Sequence, residues 1–396
     1  MVIGVPSESS PHEKRVALVP GVVPLLIKAG VKVLVERGAG ETAGFPDAAY
    51  EEQGANLAAD RGRLLSMAEV LVQVHGLDPD AKRTDRKLPG RDQTLIGLLN
   101  PLGAPEAVRE LAAKGATSFA LELLPRISRA QSMDALTSMA SISGYKGVLM
   151  AAGLLGKMFP MMITAAGTIT PSRVFVIGAG VAGLQAIATA HRLGAVIQAY
   201  DVRPAVKEQV ESLGAKFVEL ELESKGAEAA SGYAADMGED FYRRQRELLT
   251  RVVAESDVVI TTAAIPGKKA PVLITSEAVE GMRRGGVIID LAAETGGNCQ
   301  LTQPGRTVDV RGVTVIGPLN LSSTVPYHAS QMYARNVTAF LLNLVKEGEL
   351  QLNLEDQIIR DTLLTHKGDV ANPAMRQSLG LPELTASSSE EKRPNA

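Results

Sequence analysis

The sequence contains no tryptophan and a single cysteine in 396 residues, and aromatic residues make up 4% of it. A lone cysteine excludes an intramolecular disulfide and a Cys-x-x-Cys metal site, and it is typical of a reducing compartment. We interpret Cys299 as a small residue near a glycine turn rather than as a catalytic thiol. We therefore expect no metal site.

The sequence also lacks a large excess of positive or negative charge. The chain has 41 Lys and Arg against 44 Asp and Glu, which gives a formal net charge of −3. This balance gives no electrostatic case for nucleic acid or an anionic membrane as a partner. The hydrophobic content of 45% and the charged content of 21% are ordinary for a globular α/β protein. The chain is too long for one typical core, so we expect two domains.

Long hydrophobic runs that would cross a membrane are absent as well. Residues 148–170 are nearly apolar, but Lys157 and Pro160 interrupt them. Residues 174–190 carry no charge, yet they are short for a spanning helix. The N-terminal MVIGVPSE lacks the basic and apolar regions of a signal peptide and is predicted to be a strand. The polar residues 384–396 are expected to form a disordered tail.

A nucleotide-binding pattern is present from residue 173 onward, in RVFVIGAGVAGLQAIATAHRLGAVIQAYDVR. A β-branched and aromatic run precedes Gly178, Gly180 and Gly183, which stand at G-x-G-x-x-G spacing before a helical stretch. Gly178 permits a tight turn, Gly180 lets the backbone approach a pyrophosphate, and Gly183 lets the helix pack against the strand. The helix N-terminus, at Val181 and Ala182, supplies free N–H groups and a positive dipole end. The pattern therefore predicts a dinucleotide site rather than a glycine-rich turn between packed elements.

An acidic residue ends the next predicted strand. Asp201 follows Gly183 by eighteen residues and can accept hydrogen bonds from ribose hydroxyls. A carboxylate there repels a 2′-phosphate, so the sequence predicts NAD(H) rather than NADP(H) at this site. We include the adjacent Val202 and Arg203 in the predicted cofactor site.

Strand and helix patterns alternate along both halves of the chain, which is typical of parallel sheets. We predict an α/β protein with two Rossmann-like doubly wound parallel-sheet domains, joined by long helices, with a cleft between them. The predicted strands are residues 2–5, 31–35, 69–74, 94–98 and 117–121 in the first domain, and residues 174–177, 196–200, 216–220, 257–262, 287–291 and 313–316 in the second.

Long predicted helices set the domain boundaries. A helix over residues 135–158 bridges the halves, and helices over 330–346 and 355–365 are expected to pack back onto the first domain. Residues 1–137 with 321–380 then form a discontinuous N-terminal domain, and residues 138–320 form the NAD(H)-binding domain. We interpret Met158, Met161 and Met162 as core-filling residues.

Several motifs resemble those of one family. The stretch GVPSESSPHEKRVALVP, residues 4–20, contains a P-x-E…E-x-RVAL-x-P arrangement. It resembles the N-terminal motif of the alanine dehydrogenase and nicotinamide nucleotide transhydrogenase superfamily. AGLQAIATAHRLGAVIQAYDVR is similar to the second motif of that family, and TTAAIPGKK to its TTA-x-IPG-[KR] motif. The sequence departs from the first motif at His12 and Val19, where the family more often has Asn and a small hydroxyl residue.

The loop before the bridging helix carries polar groups that capping and solvation would explain by chemistry alone. However, R-x-x-x-x-Q-x-x-D resembles the Arg-Gln-Asp loop of the NAD(H)-binding component of proton-translocating transhydrogenase. The resemblance implies that Arg126 and Asp134 hold the nicotinamide mononucleotide end, and that Gln131 reaches the ring and the facing ribose. It assigns these residues of the loop and the helix start to the cofactor site: Arg126, Ser128, Gln131, Asp134, Thr137 and Ser138.

Residues 223–238 are small and polar and are predicted to form a long loop. The family resemblance implies a mobile lid there, with Tyr233 and the adjacent Gly232 closing over the nucleotide and excluding water. The alternative is a disordered surface insertion. Gln245 in the following helix completes this side of the implied site. Ala263 and Ala264 follow a strand at the ligand-binding edge and are small enough for a nucleotide to pass closely.

The expected acid–base residues of an amino-acid dehydrogenase are missing. Alanine dehydrogenases use a lysine after the third strand and a histidine after the fourth, where this chain has VQVHGLD and LIGLLNP. His75 stands roughly at the lysine position, and Arg15 is retained, but together they are not a catalytic set. Direct hydride transfer between two nicotinamides needs neither acid nor base. It needs the two C4 atoms held about 3–3.5 Å apart with water excluded.

The resemblance therefore implies the NAD(H)-binding subunit of a proton-translocating, Re/Si-specific transhydrogenase, with Gln131, Arg126, Asp134 and Tyr233 at the transfer site. It implies a homodimer that works with a beta subunit binding NADP(H) and with a membrane-spanning subunit. The chain would then be cytoplasmic and peripherally associated with the inner (cytoplasmic) membrane through these partners. Two alternatives stay open: an alanine-type NAD-dependent amino-acid dehydrogenase, and a non-enzymatic NAD-binding regulator.

Overall fold

The computed structural model describes residues 1–10, 12–77, 89–220, 238–264 and 267–382. The chain divides into two compact units, Met1–Met139 with Val325–Ala396, and Ala140–Thr324. The domain boundaries predicted from the sequence are at residues 137 and 320. Each unit is an α/β structure around a largely parallel sheet, as predicted.

The strands are short and regularly spaced. They are β1 Val2–Val5, β2 Lys32–Glu36, β3 Asn56–Ala58, β4 Val70–His75, β5 Thr94–Leu98, β6 Thr117–Ala120, β7 Met162–Thr164, β8 Gly167–Ile169, β9 Arg173–Ile177, β10 Val196–Tyr200, β11 Lys216–Phe217, β12 Val258–Thr261, β13 Val287–Asp290, β14 Thr307–Val310, β15 Val313–Ile316, β16 Val345–Lys346, β17 Glu349–Leu350, β18 Leu363–His366 and β19 Asp369–Val370.

The α-helices alternate with these strands. They are α1 Val23–Lys28, α2 Asp47–Glu52, α3 Arg61–Met67, α4 Pro105–Ala113, α5 Ala135–Leu154, α6 Val181–Arg192, α7 Lys207–Ser212, α8 Glu239–Glu255, α9 Ser276–Glu280, α10 Pro326–Leu344, α11 Gln357–Thr362 and α12 Pro373–Ser378. Within the described part of the chain, every helix is too short or too polar to cross a bilayer.

The sheet of the first unit has the order β19-β18-β6-β5-β4-β1-β2-β3. The strands from β3 to β6 are parallel, and β18 and β19 add an antiparallel edge. The parallel part reverses its winding between β1 and β4, so the loops after these two strands lie side by side at one edge.

The sheet of the second unit has the order β11-β10-β9-β12-β13-β15-β14, and its strands are parallel except β14. Both of its faces are covered. Along β9, Val174 and Val176 join one buried cluster, whereas Phe175 and Ile177 join another. A strand covered on both faces is apolar throughout, which explains the unbroken run that identifies it in the sequence. The winding reverses between β9 and β12, where a doubly wound sheet binds its ligand.

Several predicted elements are wrong in part. The strand predicted over residues 216–220 ends at Phe217, and the helix predicted from residue 330 begins at Pro326. The bridging helix α5 ends at Leu154 rather than near residue 158. The helix predicted over 355–365 is α11 followed by strand β18, which pairs with β6. Short apolar runs are compatible with either helix or strand. Here a hydrogen bond of 2.7 Å between the Ser118 and Thr365 hydroxyls joins the two strands and favours the sheet.

The three methionines after α5 do not fill a core, contrary to the sequence-based prediction. Met158 is 42% exposed, Met161 58% and Met162 37%. Because α5 ends before them, they lie outside its packed face, and Met162 belongs to the hairpin β7–β8, whose residues are exposed.

Candidate nucleotide-binding site

The glycine loop after β9 lies at the reversal point of the second sheet. Gly178 has a φ of +95°, a conformation that glycine adopts without strain, which confirms the predicted tight turn. The Thr262 hydroxyl, just after β12, donates a hydrogen bond of 2.9 Å to the Gly178 carbonyl. The two strand ends are thus joined directly at the loop.

Gly183 and Gly180 differ in what surrounds them. A Cβ built on Gly183 would lie 1.8 Å from the Gly178 carbonyl oxygen, so helix α6 packs against the loop at a distance that only glycine permits. A Cβ on Gly180 would meet no described atom within 4 Å. The first contact confirms that Gly183 allows close packing. The second leaves space beside the loop for the close approach of a ligand.

The first turn of α6 directly follows Gly180. Gly180 is the N-cap residue and its position has no side-chain cap hydrogen bond among the described residues. Gly180 and Val181 are exposed, Ala182 is half-buried, and α6 begins at Val181. Uncapped amides at a helix N-terminus, together with the helix dipole, form a site suited to phosphate groups.

Asp201 stands at the end of β10 and is already part of a network. Its carboxylate accepts a hydrogen bond of 2.7 Å from the Ala179 amide and further bonds from the backbone and guanidinium of Arg203. The Asp201 side chain is 7% exposed and that of Arg203 is 20% exposed. The carboxylate therefore fixes the glycine loop and neutralises part of the Arg203 charge at the position predicted to receive a ribose. Val202 lies between them and is half-buried.

The turn after β12 contains Ala263 and Ala264, which are half-buried and exposed, respectively. Its conformation is held from the loop that follows β13. The Asn298 side chain accepts a hydrogen bond from the Ala263 amide and donates one to the Ala263 carbonyl. Asn298 was not among the residues predicted from the sequence, although its place in a glycine turn after a strand is a signal that could have indicated it.

Gln245 lies in α8 and is buried, with 2% of its surface exposed. Its amide donates a hydrogen bond of 3.0 Å to the hydroxyl of Tyr200. Burial, together with the charge of Asp201, raises the pKa of Tyr200 to about 12, so this hydroxyl stays protonated. Gln245 supports the end of β10 in this structure, and its contact with a nucleotide remains a prediction.

The Arg-Gln-Asp loop belongs to the first unit. It forms a 3-10 turn over Ser128–Met133 that leads into α5. Arg126, Ser128 and Gln131 are exposed. The Asp134 carboxylate accepts hydrogen bonds from the backbone and the hydroxyl of Thr137, at 2.9 and 2.6 Å. Asp134 therefore caps α5, and the half-buried Ser138 follows in its first turn.

Two contacts within the first unit hold this loop in place. The Arg129 guanidinium binds the carboxylate of Asp356, with one contact of 2.7 Å, and the Asn336 amide donates to the Ser132 carbonyl at 2.8 Å. The hydrogen bond from Arg129 lowers the pKa of Asp356 to about 2. The exposed side chain of Gln131 thus projects from a turn that is anchored on both sides.

The reversal point of the first sheet carries charged groups instead of a glycine loop. Glu13 binds Arg15 through contacts of 2.7 and 2.6 Å, and it lies 3.2 Å from the ring of His75. Glu8 accepts hydrogen bonds from the Val74 and His75 amides. Glu13 thus pairs with Arg15 and His75, Glu8 pairs with backbone amides, and both carboxylates link the loop after β1 to the end of β4.

The protonation of these groups follows from their packing. Burial raises the pKa of Glu8 to about 7, against the opposing effect of its backbone hydrogen bonds. Burial would also raise the pKa of Glu13, but hydrogen bonds from Arg15 and His75 hold it well below its usual value. Burial lowers the pKa of His75, yet its hydrogen bond to Glu13 outweighs this, so the net shift is upward.

Some predicted residues lie outside the described part of the chain. Gly232 and Tyr233 of the predicted lid are among them, as is the predicted disordered tail, residues 384–396. Within the described ranges, no group of three or more His, Cys, Asp or Glu side chains could hold a metal ion.

Comparison with known proteins gives matches along most of the chain. The family model "Alanine dehydrogenase/PNT, N-terminal domain" matches residues 4–143, and "Alanine dehydrogenase/PNT, C-terminal domain" matches residues 147–373. The chain is 46% identical over 379 residues to the first part of the alpha subunit of NAD(P) transhydrogenase from Rhodospirillum rubrum, a match that covers 95% of this chain and 99% of that relative.

The chain is also similar to an alanine dehydrogenase and to a solved transhydrogenase structure. It is 30% identical over 389 residues to the alanine dehydrogenase of Bacillus subtilis, with 96% of this chain and 95% of that protein covered. The crystal structure of a transhydrogenase from Sinorhizobium meliloti is similar at a TM-score of 0.81 and 39% identity. The matched region covers 94% of this chain and 100% of the chain in that structure.

Proposed function

Because the chain belongs to the alanine dehydrogenase/PNT family, we propose that it is the NAD(H)-binding subunit of a proton-translocating transhydrogenase. The bound nicotinamide would exchange a hydride directly with NADP(H) held on a partner subunit. The observation that carries this proposal is the glycine loop at the reversal point of the second sheet, closed by Asp201 on one side and by Thr262 on the other.

The residues of the second unit fit a dinucleotide. A Cβ on Gly180 would meet no described atom within 4 Å, so a pyrophosphate would approach the backbone there, and the uncapped amides at the start of α6 would bind it. In this proposal Asp201 receives the adenosine ribose, with Val202 and Arg203 beside it. When bound, NAD(H) supplies the hydride, and the chain binds and orients it.

The preference for NAD(H) over NADP(H) rests on charge. The Asp201 carboxylate would repel a 2′-phosphate, whereas Arg203, which binds the same carboxylate, would attract one. Within this pair, Asp201 is the residue that contacts the glycine loop, because its carboxylate accepts a hydrogen bond from the Ala179 amide. We therefore propose NAD(H) as the nucleotide of this chain.

The transfer step is assigned to the loop of the first unit. We propose that Arg126 and Asp134 hold the nicotinamide end, that Gln131 orients the ring and that Tyr233 closes over it. Ser128, Thr137 and Ser138 would line the same nucleotide. The anchoring of the loop through Arg129 and Asp356 supports this role, since hydride transfer depends on fixed geometry.

The charged groups of the first unit argue against amino-acid oxidation. That reaction needs a cation for the substrate carboxylate and a group that accepts a proton. Arg15 is 3% exposed and its guanidinium binds Glu13, which also contacts His75. Releasing Arg15 for a substrate would leave the buried Glu13 carboxylate with less compensation, which is costly.

Partners are proposed from the relatives. Similar proteins are named as the alpha subunit of NAD(P) transhydrogenase, and several of them as its first part. We propose a homodimer that docks with a beta subunit binding NADP(H) and with a membrane-spanning subunit that couples the transfer to proton movement. The chain would then lie at the cytoplasmic side of the membrane, held by these partners.

The proposal is tested by reconstitution. The purified chain should bind NADH without consuming it, and adding a cognate NADP(H)-binding subunit should produce NADPH. Transfer of deuterium from NADH labelled at C4 would show that the hydride moves directly. Tight NADH binding without transfer in the presence of the partner would refute the proposal.

Two controls separate the alternatives. Formation of NADH from NAD+ and L-alanine by the chain alone would favour the dehydrogenase. Replacing Gln131 by Asn should slow transfer while leaving NADH affinity nearly unchanged. If the rate of hydride transfer is unchanged, Gln131 has no role in the reaction. The result would then favour a regulator that only binds NAD.

A further inference from the structure

The turn after β12 is held by a side chain that is completely buried. Asn298 is 0% exposed. Its side chain accepts a hydrogen bond of 2.9 Å from the Ala263 amide, and donates bonds of 2.7 Å to the Ala263 carbonyl and 2.8 Å to the Pro271 carbonyl. It pairs with both backbone groups of Ala263, as a neighbouring strand would.

Asn298 is itself fixed by its backbone. Its carbonyl accepts hydrogen bonds from the Leu273 and Ile274 amides, at 2.8 and 2.9 Å. The next amide, that of Cys299, donates to Asp290 at 2.9 Å. These bonds tie the backbone on both sides of the Asn298 side chain to neighbouring segments.

Asp290 is the second buried group of this network, and it is also 0% exposed. Besides Cys299, its carboxylate accepts hydrogen bonds from the hydroxyls of Thr261 and Thr302, at 2.8 and 2.6 Å, and from the Ala292 amide. Thr261 is the last residue of β12. Asp290 therefore joins the end of β12 to the loop that carries Asn298.

The turn that Asn298 holds lies beside the glycine loop. Thr262 precedes Ala263 and donates through its hydroxyl to the Gly178 carbonyl. The Thr262 amide donates a hydrogen bond of 2.8 Å to the carbonyl of Ile177, which is the last residue of β9. A Cβ on Gly178 would lie 2.6 Å from the Thr262 hydroxyl and 3.1 Å from the Ala263 amide nitrogen, so a shift of residues 262–264 would disturb the glycine loop at Gly178.

We propose that Asn298 is a positioning residue for nucleotide binding, which fixes the turn of residues 262–264 against the glycine loop, with Asp290 holding Asn298 in place. This role rests on the proposed NAD(H) function of the same loop. It acts through the backbone, since a fully buried side chain does not touch the nucleotide.

The test compares Asn298→Ala with Ser256→Ala. Ser256 is also buried, at 2% exposure, and its hydroxyl donates to Val252 before β12 begins, at the opposite end of the strand. Both variants lose buried hydrogen bonds, but only the first releases the turn. We expect Asn298→Ala to raise the Kd for NADH about tenfold or more, because unpaired buried backbone groups favour another conformation of the turn. Ser256→Ala should change it less than about twofold.

A steady-state readout distinguishes positioning from general destabilisation. With an NADP(H)-binding subunit present, Asn298→Ala should raise the KM for NADH and leave kcat within about twofold, because the turn lies at the glycine loop. An unchanged KM and Kd for NADH in a folded Asn298→Ala protein would overturn the proposal. If that variant does not fold, Asn298→Asp serves in its place, because it keeps the accepting oxygen and loses both donated bonds.

Hydrogen exchange tests the same point in the native chain without any variant. The Ala263 amide should exchange slowly before NADH is added, since Asn298 already binds it. Fast exchange there would overturn the proposal. A native chain that binds no NADH would refute the proposed function and this role together, whereas NADH binding that does not depend on Asn298 would refute this role alone.

Discussion

Gly183→Ala is the substitution whose effect the structure predicts most directly. The new methyl group would lie 1.8 Å from the oxygen and 2.8 Å from the carbon of the Gly178 carbonyl. Both atoms belong to the backbone, so no side-chain rotation relieves the overlap. Helix α6 must move away from β9 by more than an ångström, or the glycine loop must change its conformation.

The expected cost follows from overpacking. Forcing a methyl group into a closely packed contact costs about 1–3 kcal/mol. Alanine is preferred over glycine inside a helix by about 1 kcal/mol, which offsets part of this cost. For a domain of this size, each kcal/mol lowers Tm by about 2–4 °C. The net cost is up to about 2 kcal/mol, which lowers Tm by up to about 8 °C. Because the start of α6 moves, we expect Gly183→Ala to weaken NADH binding as well.

Gly180→Ala is the matched control. Its methyl group would meet no described atom within 4 Å, and the φ of −77° is one that alanine adopts freely. Loss of glycine at the N-cap costs less than about 1 kcal/mol, so Tm should change little. The methyl group would nevertheless occupy the space assigned to the pyrophosphate. We expect NADH affinity to fall about tenfold or more in a protein of nearly native stability.

Thermal unfolding followed by circular dichroism and NADH titration by calorimetry measure both effects. The two glycines should separate, with Gly183→Ala losing stability and affinity and Gly180→Ala losing affinity alone. A Gly183→Ala protein with both native Tm and native NADH affinity would refute the packing argument. A Gly180→Ala protein with native NADH affinity would refute the placement of the pyrophosphate.

Three other perturbations test separate parts of the chain. Asp201→Asn should weaken NADH binding and reduce the discrimination against NADPH, because the carboxylate that repels a 2′-phosphate is removed. Affinities for NADH and NADPH that both stay as in the native chain would contradict this. Burial raises the pKa of Glu8 to about 7, so the native state retains a proton that the unfolded chain loses above the ordinary value of 4.5. The free energy of unfolding should therefore fall as the pH rises from 4.5 through 7, and Glu8→Gln should flatten this dependence in urea titrations. Cys299 is 2% exposed and burial raises the pKa of its thiol, so a thiol reagent should modify it only after denaturant is added, and rapid modification of the folded protein would contradict its burial.

The glycine loop could be predicted from sequence because its determinants are local. A strand, three glycines and a helix within a short segment specify the turn at Gly178 and the close packing at Gly183. The alternation of apolar strands and helices likewise specified two α/β units. These features depend on residues that are neighbours in the chain.

The missed features depend on residues that are distant in sequence. Asn298 contacts Ala263 across thirty-five positions, and its identity alone gives no indication of that partner. The strand β18 is an apolar run whose state is decided by its pairing with β6. Asp134 shows a further limit, since its sequence context suits both a helix cap and a ligand contact, and the structure shows the cap.

The two sheets make opposite use of the same topology. In each, six strands follow the order 3-2-1-4-5-6, so each has a reversal point where a ligand is expected. In the second sheet this point is lined with glycine and open backbone amides. In the first it is filled by Glu8, Glu13, Arg15 and His75, which bind one another and the adjacent backbone.

This difference bears on the reaction. Oxidation of an amino acid transfers a hydride and also a proton, so it requires ionisable groups that can change partners during turnover. The groups at the first reversal point are committed to mutual contacts, and freeing one would leave a buried charge poorly compensated. A reaction that moves only a hydride, from one nicotinamide to another, makes no such demand. The ionisable groups of the first unit are bound to one another, and the second unit provides a nucleotide loop. Both features therefore support hydride transfer between two nicotinamides.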